Sequence, residues 1–288
     1  MLNLKKTSLL LLIASTLFSC KQSYTDQWEE FETKLILKEK SFQSYKDFVD
    51  LKNDFKLVNY TSDDMQLTAL LNTKHIDSTN KKPVIVYLHG GFALGYNQEE
   101  NTKAFTDKGY IVFAPSYRGE NGNPGNFELF MGEVKDAKAA INWIASQPYV
   151  DKDRIYVFGW SVGGGIALNL TLHDDLPIKL SASSAGLYDF DLIKQWATED
   201  DMIKFPYDYK NEKENYFRLP LYHLENMVIN HHTYIGSNDD FKYYNNLVDS
   251  LYPKKQTHMR LTELQGDHVS TLPKAMHEFL NEIRKLEK

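Results

Sequence analysis

Residues 159–163 read Gly-Trp-Ser-Val-Gly, directly after the apolar run 154–158, Arg-Ile-Tyr-Val-Phe. A strand that ends at the first glycine and a small-residue helix that starts after the serine put Ser161 on a tight turn. That turn sits at the carboxyl edge of a sheet, and Gly159 and Gly163 relieve the crowding around it. Three successive glycines, Gly163, Gly164 and Gly165, let the helix lie close to the strand.

The rest of the chain supplies the sheet that such a turn needs. Phe55 to Tyr60 and Met65 to Leu71 read as a hairpin around Ser62-Asp-Asp64. Val84 to His89 and Tyr110 to Pro115 are continuous apolar runs, the pattern of strands buried on both faces. Residues 127–147 carry Val134, Ala137, Ala140, Ile141 and Ile144 at helical spacing, which predicts an amphipathic helix ending near Pro148. Arg154 to Trp160, Leu180 to Ala185, Met227 to Ile235 and Met259 to Leu264 are further strands. Val162 to Leu172 and Leu272 to Leu286 are helices. Strands alternating with helices predict an α/β fold with a mostly parallel central sheet covered on both faces. Residues 187–226, rich in Tyr, Asp and Lys and weakly periodic, read as a cap-like excursion. Its aromatic side chains, Trp196, Phe205, Tyr207, Tyr209, Tyr216 and Phe217, are expected to line an apolar pocket.

The amino terminus differs in kind. Lys5 and Lys6 precede the apolar stretch Leu9 to Phe18, too short to span a bilayer and suited to the apolar region of an export signal. The only cysteine, Cys20, closes that segment, so no internal disulfide can form. Residues 1–20 resemble a bacterial lipoprotein signal. That resemblance implies a lipid on Cys20, a membrane as partner and a place in the cell envelope. The plain alternative is an ordinary secretory signal with an incidental cysteine. Residues 21–50 read as a tether with short helices, aromatics Trp28, Phe31, Phe42, Tyr45 and Phe48 falling at loosely helical spacing, and 51–288 as one catalytic domain. With 42% hydrophobic residues there is enough apolar material for one core. A net charge of −6 without a basic tract argues against nucleic acid as a partner.

A serine hydroxyl is a weak nucleophile and needs a base, an acid that orients the base, and donors for an oxyanion. His89-Gly-Gly-Phe92, at the end of the Val84 strand, can aim the amides of Gly91 and Phe92 at a substrate oxygen, and Val162 supplies the complementary amide. In strand-turn-helix folds of this kind the acid and then the histidine follow the serine along the chain. Of 9 histidines, His268 in Gln265-Gly-Asp-His stands after the last strand, whereas His277 lies within the terminal helix. Ile235-Gly-Ser-Asn-Asp-Asp240 offers Asp239 first and Asp240 second, with Asp189 the other topologically allowed acid. His231 and His232, adjacent on a strand, point to opposite faces and cannot easily share an ion, and no ligand set completes a metal site. No cofactor is expected.

Together these residues resemble the α/β-hydrolase superfamily, and within it the catalytic domain of the prolyl oligopeptidase family and its small esterase relatives. The likeness is strongest over Val150-Asp-Lys-Asp-Arg-Ile-Tyr-Val-Phe-Gly-Trp-Ser-Val-Gly-Gly164, with Pro115-Ser-Tyr-Arg-Gly119, Gly236-Ser-Asn-Asp-Asp240 and Gly266-Asp-His268 in support. The resemblance implies Ser161, Asp239 and His268 as the catalytic triad. Two departures bear on substrate. Peptidases of this family carry a large propeller ahead of the catalytic domain, where only residues 21–54 stand here. They also place a tyrosine hydroxyl in the oxyanion hole, where His89-Gly-Gly-Phe92 resembles the backbone loop of esterases. The expected activity is hydrolysis of carboxylic esters. Cleavage of short peptides is the alternative, and a catalytically silent, lipid-anchored binding protein the third reading.

Overall fold

Strand β1 (Phe55–Ser62) turns at Asp63 into β2 (Met65–Asn72), and the pair is antiparallel. The remaining strands are β3 (Lys82–Leu88), β4 (Ile111–Pro115), β5 (Val150–Trp160), β6 (Leu180–Ser184), β7 (His231–Gly236) and β8 (Met259–Leu264). They form one sheet of order β1-β2-β4-β3-β5-β6-β7-β8, parallel from β4 to β8. This computed structural model describes residues 22–43, 54–95, 98–191, 193–194, 204–243, 246 and 258–288. Residues 1–20, with Cys20, lie outside the described residues, as do Tyr45, Phe48 and Trp196.

Alternation along the strands explains why their apolar runs are continuous. Val84, Val86 and Leu88 of β3 point into one core with α3 (Gly132–Ala145) and α4 (Val162–Leu170). Ile85 and Tyr87 point into the other, with α2 (Gln98–Thr106) and the terminal helix α6 (Leu272–Leu286). Each strand residue finds a helix on its own side, so neither face needs polar side chains. Helix α6 buries Leu272, Ala275, Met276, Phe279, Leu280 and Ile283, a stripe at spacings of three and four. Full burial of a side chain such as Phe279 contributes about 2–3 kcal/mol.

Several elements differ from the sequence expectation, and β5 begins at Val150 rather than at Arg154. Helix α3 begins at Gly132 rather than near 127, because Leu129 and Phe130 take left-handed backbone conformations (φ 53° and 70°) that a helix cannot contain. Strand β7 begins at His231 rather than at Met227. A 3-10 turn over Pro220–Asn226 precedes it, and the Val228 amide is already bonded to the carbonyl of Thr171. Where a tether and short helices were expected, one short helix, α1 (Tyr24–Glu29), is present, and it and residues 31–43 are packed on the domain. Trp28 is buried and donates its indole N–H to the carbonyl of Phe217 at 3.1 Å.

The excursion includes helix α5 (Glu212–Arg218), and its described aromatics pack chiefly against one another and their neighbours, Phe205 against Tyr207 and Tyr209, and Tyr216 against His223. Phe217 stacks on Phe31 at 4.6 Å between ring centroids, and Tyr207 lies under the Arg218 guanidinium at 3.8 Å. Tyr209 and Tyr216 are exposed.

Glu133, in the first turn of α3, is buried. Its Oε1 accepts the Glu128 amide at 2.8 Å, and its Oε2 has no partner. Burial, reinforced by the neighbouring Glu128 carboxylate, pushes its carboxyl up to about 8 from the ordinary 4.5. A group raised in this way favours the fold fully below pH 4.5 and loses that contribution as pH rises to about 8. Glu133→Gln is therefore expected to behave like the parent at pH 4.5. At pH 9 it should be more stable by on the order of 1–3 kcal/mol, read from urea midpoints at the two pH values.

Candidate active site

Strand β5 delivers Ser161 to the carboxyl edge of the sheet. Ser161 takes φ 53° and ψ −115°, a strained conformation for a residue with a side chain, costing about 1–3 kcal/mol. The surroundings hold it there. Its amide donates to the carbonyl of Ser184 at 3.0 Å, and its carbonyl accepts from Gly164 at 2.9 Å and from Leu187 at 2.9 Å. The turn closes only over glycine. A Cβ on Gly159 would lie 2.1 Å from the carbonyl oxygen of Gly163, and one on Gly163 would lie 2.2 Å from that of Leu88. These contacts are the physical content of the motif: glycines clear the space, and the strained serine stands at the head of α4, with Val162 the first residue of that helix.

The acid and the histidine come from two loops stitched together. After β7, Ser237 donates its amide to Leu264, and Asn238 donates to the carbonyl of Gly266 at 2.9 Å. A Cβ on Gly236 would meet that same Gly266 oxygen at 2.5 Å, so the loops pack backbone to backbone. Asp239 is thereby buried, while Asp240 is exposed. The Asp239 carboxylate accepts from Nδ1 of His268 at 3.1 and 3.2 Å and from the Phe241 amide at 2.8 Å. Nδ1 therefore carries the proton, as its carboxylate partner requires, and Nε2 keeps its lone pair. The imidazole packs against the Phe241 ring at 4.7 Å and the Trp160 ring at 5.7 Å. Trp160, the neighbour of Ser161, also donates its indole N–H to the carbonyl of His268 at 3.2 Å. That bond ties the histidine loop to the serine turn.

The loop after β3 closes the site from the other side. His89 is buried, with Nε2 3.1 Å from Oε2 of Glu120 and its ring stacked on Tyr117 at 5.1 Å. The same Glu120 oxygen accepts the Tyr117 amide at 3.1 Å, and Asn121 bonds both the amide and the carbonyl of Leu94. Gly91 adopts φ 73°, and a Cβ on Gly90 would strike the Trp160 ring at 2.7 Å. The amide of Phe92 donates to Oε1 of Gln43 at 2.9 Å. Trp160, within the serine motif, and Glu120 and Asn121, which belong to no motif singled out in the sequence, set the geometry of this loop. The one available signal was the position of Glu120 and Asn121 just after Pro115-Ser-Tyr-Arg-Gly119.

The alternative site residues fall elsewhere. Asp189 spends an oxygen on the amide of Asp191, and His277 is exposed on α6 with Nδ1 against the carbonyl of Pro273. His231 is buried between the hydroxyls of Ser181 and Ser183, each at 2.9 Å, and burial lowers its imidazole to about 3. His232 faces the other side, 4.0 Å from Glu282 of α6. Among the described residues, no three His, Cys, Asp or Glu side chains are grouped to hold a metal ion.

The chain and its fold have counterparts among known proteins. A sequence profile of the prolyl oligopeptidase family matches residues 96–284. The chain belongs to the prolyl oligopeptidase family. Within curated sequences it is 43% identical over 81 residues to an uncharacterized peptidase of Bacillus subtilis, covering 27% of this chain and 31% of that protein. It is 30% identical over 146 residues to dipeptidyl-peptidase 5 of Porphyromonas gingivalis, covering 47% of this chain and 21% of the relative. The match thus spans less than a third of either relative's length. Among solved structures, an esterase of the archaeon Pyrobaculum calidifontis superposes with a TM-score of 0.64 at 16% identity, over 81% of this chain and 86% of that one. Dipeptidyl peptidase 4 of Porphyromonas gingivalis also gives 0.64, at 19% identity, over 81% of this chain and 35% of that one. Like these neighbours, this member of the family has the α/β-hydrolase fold, with its eight strands in a mostly parallel sheet.

Proposed function

We propose that the protein is a serine hydrolase that cleaves carboxylic esters through an acyl-enzyme on Ser161. The observation that carries this reading is the buried Asp239 carboxylate on Nδ1 of His268, in a loop bonded to the residue next to the strained Ser161. In the first step Ser161 Oγ attacks the ester carbonyl carbon and its proton passes to Nε2 of His268. The amides of Gly91, Phe92 and Val162 hold the oxyanion. The bond to the alcohol then breaks, and the imidazolium returns its proton to the departing oxygen. Water, deprotonated by the same nitrogen, attacks the acyl carbon and frees Ser161. Asp239 keeps the imidazole in the right tautomer and stabilises it when charged.

The second reading, hydrolysis of short peptides, is favoured by the family itself and by the peptidases among its relatives. The ester reading is preferred because the sequence His89-Gly-Gly-Phe92 after β3 resembles the backbone donor loop of esterases. The test is turnover of p-nitrophenyl esters from acetate to octanoate beside aminoacyl and acyl-peptide anilides. Ester turnover without anilide cleavage supports the proposal. Efficient anilide cleavage moves the activity to peptides, and silence on both leaves a binding protein.

For the amino terminus the proposal is lipidation of Cys20, which anchors the domain to a membrane of the bacterial cell envelope. It rests on the signal-like residues 1–20. Among the described residues no helix is long and apolar enough to cross a membrane. In a bacterial host, the full chain is expected to incorporate radiolabelled palmitate and sediment with membranes, and Cys20→Ser to lose both properties. A Cys20→Ser protein that still carries the label would sink the proposal.

A further inference from the structure

The arm that precedes the sheet reaches the loop after β3, and its course is fixed by hydrogen bonds to two separate parts of the domain. Lys34 donates its amide to Glu214, Ile36 and Leu37 donate to the carbonyl of Pro206, and Leu35 bridges to Tyr207. Farther on, the carbonyl of Glu39 accepts the Phe127 amide at 2.9 Å. Lys40 Nζ reaches the carbonyls of Asn123 and Gly125, and Ser41 donates its amide to Gly119 at 3.1 Å. The arm therefore links the excursion to the loop that holds Glu120.

It ends on the donor loop itself. Ser41 Oγ donates to the carbonyl of Phe92, and the Phe42 ring lies 4.8 Å from the Phe92 ring. The side-chain oxygen of Gln43 accepts the Phe92 amide at 2.9 Å. That oxygen also stands 2.9 Å from the point where a Cβ on Gly91 would be, so it fits against the loop only because residue 91 is glycine. A carboxamide oxygen is a carbonyl oxygen on a trigonal carbon, the same group that a substrate ester or amide presents. It occupies an amide that the proposed mechanism assigns to the oxyanion.

We propose that residues 33–43 are a strap and that Gln43 is its latch, an internal mimic of the substrate carbonyl that holds the resting site closed. This rests on the proposed Ser161 hydrolase mechanism, in which the Phe92 amide is an oxyanion donor. Substrate binds only when Gln43 leaves, so the latch lowers apparent affinity by the fraction of molecules that are open. The latch is weak by construction. Gln43 is exposed, water competes for the Phe92 amide, and one neutral hydrogen bond sets the balance.

The test compares the parent with Gln43→Ala and Gln43→Glu on p-nitrophenyl butyrate, with Ser161→Ala as reference. Because Gln43 is exposed, neither substitution opens a cavity in the core. Gln43→Ala is expected to raise kcat/KM roughly fivefold, through a lower KM at constant kcat. Gln43→Glu puts a charged acceptor on the same amide, a stronger bond, and is expected to raise KM severalfold. If both substitutions lower kcat, Gln43 supports the donor loop and the latch is overturned. Unchanged kinetics in both variants overturns it as well. Failure of the underlying reading looks different: the Ser161→Ala protein would then be as active as the parent, whatever residue 43 is.

Discussion

Ser161→Ala is expected to lower kcat for an activated ester by about 10³-fold or more while leaving the melting temperature at or above that of the parent. The loss is large because acyl transfer has no second nucleophile at this turn. What survives would come from the oxyanion donors and from binding alone. The stability half of the expectation follows from the backbone. Ser161 sits at φ 53° because its amide and carbonyl are held by Ser184, Gly164 and Leu187, none of which involves Oγ. Alanine keeps every one of those bonds. The strain stored at the turn therefore belongs to the site's geometry and is present with or without the hydroxyl. Ester hydrolysis rates and a thermal melt on the same preparation check both halves, and a fall in melting temperature would mean that Oγ has a structural partner.

The second large effect is expected at Asp239. Asp239→Asn keeps the shape of a side chain that is wholly buried, and its carbonyl oxygen can still accept the Phe241 amide. What it loses is the second acceptor and the negative charge opposite Nδ1 of His268. The imidazole is then free to take the wrong tautomer, and the imidazolium formed during acyl transfer lacks its counter-ion. A fall in kcat on the order of 10³–10⁴-fold with little change in KM is expected. Asp240→Asn provides the control, because Asp240 is exposed and outside the hydrogen bonds that stitch the two loops together. It should leave kcat unchanged. Equal losses in both variants would mean that the acid was wrongly assigned.

The legible parts of this chain are those whose signal is local. Strand β8 and helix α6 begin and end where periodicity places them, since a two-residue or 3.6-residue repeat is written in the side chains themselves. The serine turn was legible for the same reason: strand, glycines and helix are contiguous. The start of α3 was not. The segment 127–131 is rich in Phe, Leu and Met and looks helical, but Arg118 binds both Glu128 and Asp136 and fixes the loop in another shape. A tertiary ion pair overrides the local pattern there. In the arm a short helix was legible and is present as α1, but the arm's packing on the domain was not. Its aromatics are spaced like a loose helix, yet Trp28, Phe31 and Phe42 answer to Phe217 and Phe92, partners far away in sequence. Between Asp239 and Asp240 local turn chemistry could not decide, and the choice of Asp239 rests on the family resemblance; in the structure one residue of turn geometry buries Asp239 and exposes Asp240.

The central claim is that Ser161 forms a covalent acyl-enzyme, and the most direct measurement is active-site labelling. The protein would be treated with a fluorophosphonate, a tetrahedral electrophile that reacts with activated serine, digested, and read by mass spectrometry. One adduct is expected, on the peptide that contains Ser161, absent from Ser161→Ala and strongly slowed in Asp239→Asn. No adduct at all, or an adduct that persists in Ser161→Ala, would contradict it.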